Sequence, residues 1–65
     1  MRKHPLKSWR DDKGLTLEGA AKTVGVTREC WRLWETGKHI PDSVNMRKLM
    51  QRCGVKPDQI YAAAS

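Results

Sequence analysis

The sequence predicts an all-α fold, a compact bundle of four to five short helices. Three observations point to it. Apolar residues recur at i, i+3, i+4 and i+7 in successive short stretches, the repeat of a helix that buries one face. Helix-starting residues precede these stretches and glycines follow them. No stretch alternates with period two, so no strand is expected.

In the first element, "HPLKSWRDDKG" (4–14), Pro5 suits a first helical position, where its missing N–H would have no partner in any case. Gly14 can take the left-handed conformation after the last turn. Leu6, Trp9, Arg10 and Lys13 share a face, so an arginine interrupts an apolar stripe. The second element, "LTLEGAAKTVG" (15–25), has Thr16 as its N-cap, whose hydroxyl can accept from a first-turn N–H. Leu17, Ala20, Ala21 and Val24 fill the helical template, Glu18 suits the positive helix start, and Gly25 ends the run. Small side chains on this face let another helix approach closely. Gly19 inside a helix costs about 1 kcal/mol relative to alanine, which close packing or a first-turn position would explain.

The third element, "GVTRECWRLWETGK" (25–38), has Thr27 as N-cap and Gly37 as stop. Only Gly25 and Val26 separate the second helix from Thr27, so the two helices are expected to cross at a large angle. The fourth, "PDSVNMRKLMQRCG" (41–54), is capped by Asp42 or Ser43, repeats the template at Met46, Leu49, Met50 and Cys53, and ends at Gly54. The fifth, "KPDQIYAAAS" (56–65), enters through Pro57 and offers Ile60 and Tyr61 as its apolar contribution. The expected core is Leu6, Trp9, Ala20, Ala21, Val24, Trp31, Trp34, Met46, Leu49, Met50, Cys53 and Ile60.

Sixty-five residues make one domain, 1–65, near the lower size for folding without staples. That length leaves no room for a separate ligand-sensing domain, so no small-molecule ligand is expected. The chain is 38% hydrophobic and 31% charged, too apolar for a disordered tail. No apolar run approaches the ~18 residues of a membrane span. The start, "MRKHPLKSWR", lacks the apolar centre of a signal peptide. A cytoplasmic location follows as the expectation, with reduced thiols. The net charge of +6 favours an acidic partner, nucleic acid before an anionic membrane surface. Cys30 and Cys53 lack C-x-x-C spacing and His4 and His39 are isolated, so reduced, mostly buried thiols are expected, and neither a metal nor a cofactor.

A capped helix, a glycine turn and a second capped helix are the parts of a helix-turn-helix, here about 16–36 with its second helix about 27–36. The run "LTLEGAAKTVGVTRECWRLWETGKHIP", continued by "MRKLMQRCGV", resembles the Cro/repressor (XRE-type) family of DNA-binding domains. Ala21 in the capped helix, the Gly25-Val26-Thr27 turn and the block Trp34-Glu35-x-Gly37-Lys38 followed by Pro41 carry the resemblance, which covers about residues 6 to 61. It implies a five-helix, lambda-repressor-like domain whose third helix lies in the major groove while the second crosses the phosphate backbone. It also implies that Arg10 pairs with Glu35, the alternative being a solvated surface arginine. Two departures stand out. Many relatives have a phosphate-contacting glutamine where this chain has Leu17, and a large aliphatic residue is missing near Ala20, a space that Trp31 can fill.

Helical spacing divides the recognition helix. Residues 31, 34 and 35 fall on one side and 28, 29, 32 and 36 largely on the other. Trp31 and Trp34 are expected in the core rather than as base-stacking platforms, which single-strand binders expose on sheets or grooves. Arg28 can reach a guanine O6/N7 edge with its two-pronged guanidinium. Glu29 can accept from cytosine N4 or orient Arg28 or Arg32, and it can also form a plain surface pair with Arg32. Arg32 can reach a base or a phosphate, and Leu33 can touch a thymine methyl. Thr27, Lys22, Lys38 and His39 are expected at phosphates, where contacts add salt-dependent affinity without reading sequence. Cys30 either packs at the rim of the core or faces phosphate. Arg2, Lys3 and His4 either add phosphate contacts or form a disordered arm.

The expected function is a sequence-specific regulator of transcription that binds double-stranded DNA. The resemblance implies a Cro-like repressor of phage or prophage kind, acting by operator occupancy in a bacterial or phage-infected cell. It also implies a homodimer on a two-fold symmetric operator, with Val55, Lys56 and Pro57 near the dimer surface, while a chain of 65 residues is expected to be monomeric when free. An antitoxin of the same fold and a protein–protein adaptor that has lost DNA binding are the alternatives. An enzyme is not expected, because paired carboxylates, a nucleophile with a base and a phosphate loop are all lacking.

Overall fold

The computed structural model describes residues 4–64. It contains α1 (Pro5–Lys13), α2 (Leu17–Val24), α3 (Arg28–Glu35), α4 (Ser43–Cys53) and α5 (Pro57–Ala64), with no strand among the described residues. Local chemistry sets each boundary. Thr16, Thr27 and Asp42 cap α2, α3 and α4 by accepting from the N–H groups of Gly19 (3.0 Å), Cys30 (3.1 Å) and Asn45 (2.8 Å). Asp42, not Ser43, is therefore the cap of α4.

The N-cap of α1 is His4. His4 Nδ1 accepts from the Leu6 N–H at 3.1 Å, and the ring is half-buried. His4 thus belongs to the folded body and not to a disordered arm, while Arg2 and Lys3 lie outside the described residues. Burial holds the imidazole below its ordinary pKa, partly offset by the Glu35 carboxylate.

α3 packs against both α1 and α2. α2 packs on α3 and α4, and α1 packs on α3 and α5. Leu6, Ala20, Ala21, Val24, Trp31, Trp34, Met46, Leu49, Val55 and Ile60 form one buried cluster, with Trp9, Leu15, Leu17, Val26, Cys30 and Cys53 packed around it half-buried. Trp31 and Ala20 are both fully enclosed, so one of the largest side chains and one of the smallest lie in the same buried cluster. Gly19 stands in the first turn of α2. A Cβ there would meet Thr16 Oγ1 at 3.4 Å and Leu15 Cδ2 at 3.5 Å, ordinary contacts, so its place near the helix start explains it better than close packing does.

One core expectation is corrected. Met50 is 48% exposed and does not belong to the core, and Tyr61 beside Ile60 is 52% exposed. α4 has one main partner helix, α2. The stripe through Met46 and Leu49 is buried and Cys53 half-buried, while position 50 turns about 100° past position 49, beyond the edge of the stripe. Val55 is only 7% exposed and joins the core, while Lys56 beside it stays exposed. Val55 follows Gly54 directly, and packing of the α4–α5 connection draws it inward.

Candidate nucleic-acid interface

The turn between α2 and α3 is built from backbone bonds. Gly25 adopts a left-handed φ of 76°, a conformation that costs residues with a Cβ, and its N–H donates to Lys22 O at 3.2 Å. The Val26 N–H donates to Ala21 O at 3.0 Å, and the Val26 side chain packs on the core. The chain then enters α3 at Thr27 with no spare residue, so α3 is fixed to α2 at its start.

Inward-facing side chains hold the rest of α3. Trp31 stacks obliquely on Trp9 (5.8 Å between ring centroids) and on Trp34 (5.9 Å). The Trp31 indole Nε1 donates to Glu35 Oε2. Arg10 of α1 completes the cluster: its Nε donates to Glu35 Oε2 at 2.7 Å, its Nη2 to Glu35 Oε1 at 3.2 Å and its Nη1 to Leu15 O at 3.3 Å. This arrangement explains why an arginine sits on the apolar face of α1. The hydrogen bond to Glu35 raises the Arg10 pKa. Sequence reasoning missed the indole and the Leu15 carbonyl as partners, because both depend on side-chain directions across helices.

The opposite face of α3 is polar and open. Arg28 and Glu29 are exposed, while Arg32 and Leu33 are half-buried. Arg28 forms no close ion pair among the described residues and lines a shallow groove with Arg10, Thr16, Leu17 and Glu18. Leu17 forms an apolar part of that groove. Arg32 donates through Nε to Glu29 Oε1 at 3.0 Å and through Nη2 to the same oxygen. These bonds hold the Glu29 carboxyl below its ordinary pKa and raise that of Arg32.

Beyond α3, Gly37 takes a left-handed φ of 78° and reverses the chain. The N–H groups of Lys38 and His39 then fold back on Leu33 O at 3.1 and 3.3 Å, and both side chains are exposed with Ile40. On α2, Lys22 is exposed and stands 3.9 Å from Glu18, a loose i, i+4 pair. Cys30 packs half-buried at the rim of the core, and burial raises its thiol pKa. Burial pushes the Cys53 thiol up to about 11, so it stays protonated at neutral pH. Arg52 donates to Thr23 O and ties α4 to the end of α2, a contact 29 residues apart that no local pattern signals. Among the described residues no group of three metal-ligating side chains comes together, and no helix is long and apolar enough to cross a membrane.

The structure therefore brings Thr27, Arg28, Glu29, Arg32 and Leu33 onto one helix and its cap, with Lys38 and His39 at its far end. No curated protein and no solved structure matches the chain. A family model described as "Helix-turn-helix domain" matches residues 4–63, nearly the whole sequence. With α2, the Gly25 turn and α3 in that arrangement, the chain belongs to the helix-turn-helix domain family.

Proposed function

We propose that the chain is a single-domain, sequence-specific regulator that binds double-stranded DNA, Cro-like within the XRE-type family, and represses by occupying its operator. The observation that carries this reading is the division of α3. One face is locked to the body by Trp31, Trp34 and the Arg10–Glu35 pair, and the other presents Arg28, Glu29, Arg32 and Leu33. A rigid helix with arginines on its open face is the part that major-groove reading needs, because base-edge hydrogen bonds demand side chains held in register.

In this reading Arg28 and Arg32 take guanine edges, Glu29 serves that face, and Leu33 meets a thymine methyl. Thr27 offers its hydroxyl and the first-turn N–H groups to a phosphate. Lys22, Lys38 and His39 add phosphate contacts that strengthen binding to every sequence alike. The net charge of +6 supports the electrostatic part of this affinity. Binding as a homodimer lets two short half-site contacts add. Because Val55 lies in the core, the dimer contact would fall on exposed neighbours such as Met50, Lys56 and Tyr61.

Selection of bound sequences from random duplex DNA, run at two salt concentrations, tests the proposal. A two-fold symmetric consensus is the expected result, and equal retention of all sequences would sink the regulator reading. Lys38→Ala should weaken every duplex alike and reduce the slope of log affinity against log salt by about one.

A further inference from the structure

The exposed ion pair on α3 has a geometry that bears on how the helix would read DNA. A guanidinium carries N–H groups along two useful edges: a side edge from Nε and Nη2, and an outer edge from Nη1 and Nη2. Glu29 Oε1 occupies the side edge of Arg32, accepting from both Nε and Nη2. The outer edge stays open, and it matches the O6 and N7 acceptors of guanine. Glu29 and Arg32 lie three positions apart on one helix, so the contact needs no other element to support it.

We infer that Glu29 is a positioning residue that holds Arg32 with its outer edge ready for one guanine, at a net charge near zero for the pair. This rests on the DNA-binding reading above. An arginine fixed before binding loses less freedom on contact, and the neighbouring carboxylate weakens its attraction to phosphates. Arg32 then discriminates among bases while adding little to non-specific affinity. Arg28 differs: it forms no close ion pair among the described residues, only a longer-range attraction to Glu29, and its charge adds to salt-dependent attraction. The ionised state of Glu29, favoured by Arg32, fits this role.

Two effects of removing Glu29 have opposite signs. Loss of a negative charge beside DNA should tighten binding to any sequence, and loss of the brace should relax the choice of base. The test is enrichment from random duplex DNA by wild type, Glu29→Ala, Glu29→Gln and Arg32→Ala, with affinities for the selected and a scrambled duplex. Arg32→Ala should lose the preference for one guanine per half-site, by roughly tenfold. Glu29→Ala should lose most of the same preference while binding the scrambled duplex several-fold more tightly. Glu29→Gln, which keeps an acceptor without charge, should recover part of the preference. Circular dichroism at equal helicity for all four proteins removes misfolding as a cause. Glu29→Ala retaining the full guanine preference would overturn the inference and leave the regulator reading standing, as would Arg32→Ala retaining it. Absence of any preference in wild type would overturn both.

Discussion

Arg10 with Glu35 and Arg32 with Glu29 are the same chemical pair in two settings on one helix. The first has side chains 15% and 9% exposed, and the second 42% and 64%. The first bridges helices and engages an indole and a backbone carbonyl as well. The second joins neighbours on one helical turn and leaves donors facing outward. Desolvation decides what each can do. A pair withdrawn from water becomes strongly interdependent, because either partner alone would be an unpaired buried charge. A pair left in water contributes little to folding and stays available to a partner. α3 thus carries one interaction suited to holding it and another suited to contact.

The largest expected effect that probes this contrast is Glu35→Ala, which leaves Arg10 and the Trp31 indole without their shared acceptor. It should cost about 3 kcal/mol or more, a fall in thermal midpoint above ~10 °C for a chain this size. A loss below ~1 kcal/mol would remove the distinction between the two pairs. Acidification should weaken the same corner more gently. Burial sets the His4 pKa below its reference value of 6.5, so the unfolded chain takes up the proton more readily than the folded one. The stabilisation is present above that reference value and is lost as pH falls through the lower folded-state value. Urea unfolding at about pH 7.5 and about pH 5.5 should show lower stability at the acid end, with a smaller difference in His4→Asn, which keeps a capping acceptor and does not titrate. Stability that rises on acidification would contradict this. The smallest effect belongs to Glu29→Ala, whose thermal midpoint should stay within about two degrees of wild type.

The helices and their ends were legible because their determinants are local. Thr16 and Thr27 cap the helices they precede, and glycines follow α1, α2 and α4 at their C-caps. The inward side of α3 could also be read, since Trp31 and Trp34 share a face and no other part of so small a chain could shelter them. His4 was within reach: a proline at the first helical position makes the residue before it the cap. Met50 was misplaced because the i, i+4 template allows a wider apolar stripe than one neighbouring helix covers. Arg52 on Thr23 O and the indole on Glu35 were illegible for a different reason, since both depend on which helices meet and at what height. The open face of α3 was legible as a set of residue types, and the Glu29–Arg32 pair as one of the alternatives spacing allows, but which edge of Arg32 Glu29 occupies needed coordinates.

The central claim is that one side of α3 holds the fold and the other reads DNA. Arg28→Ala measures it most directly, assayed at once for thermal midpoint and for affinity toward the selected and a scrambled duplex. The account predicts an unchanged midpoint and a loss of about 5- to 150-fold on the selected duplex, well beyond the loss on the scrambled one. Equal affinity for the selected duplex before and after the substitution, or a loss traceable to unfolding, would contradict it.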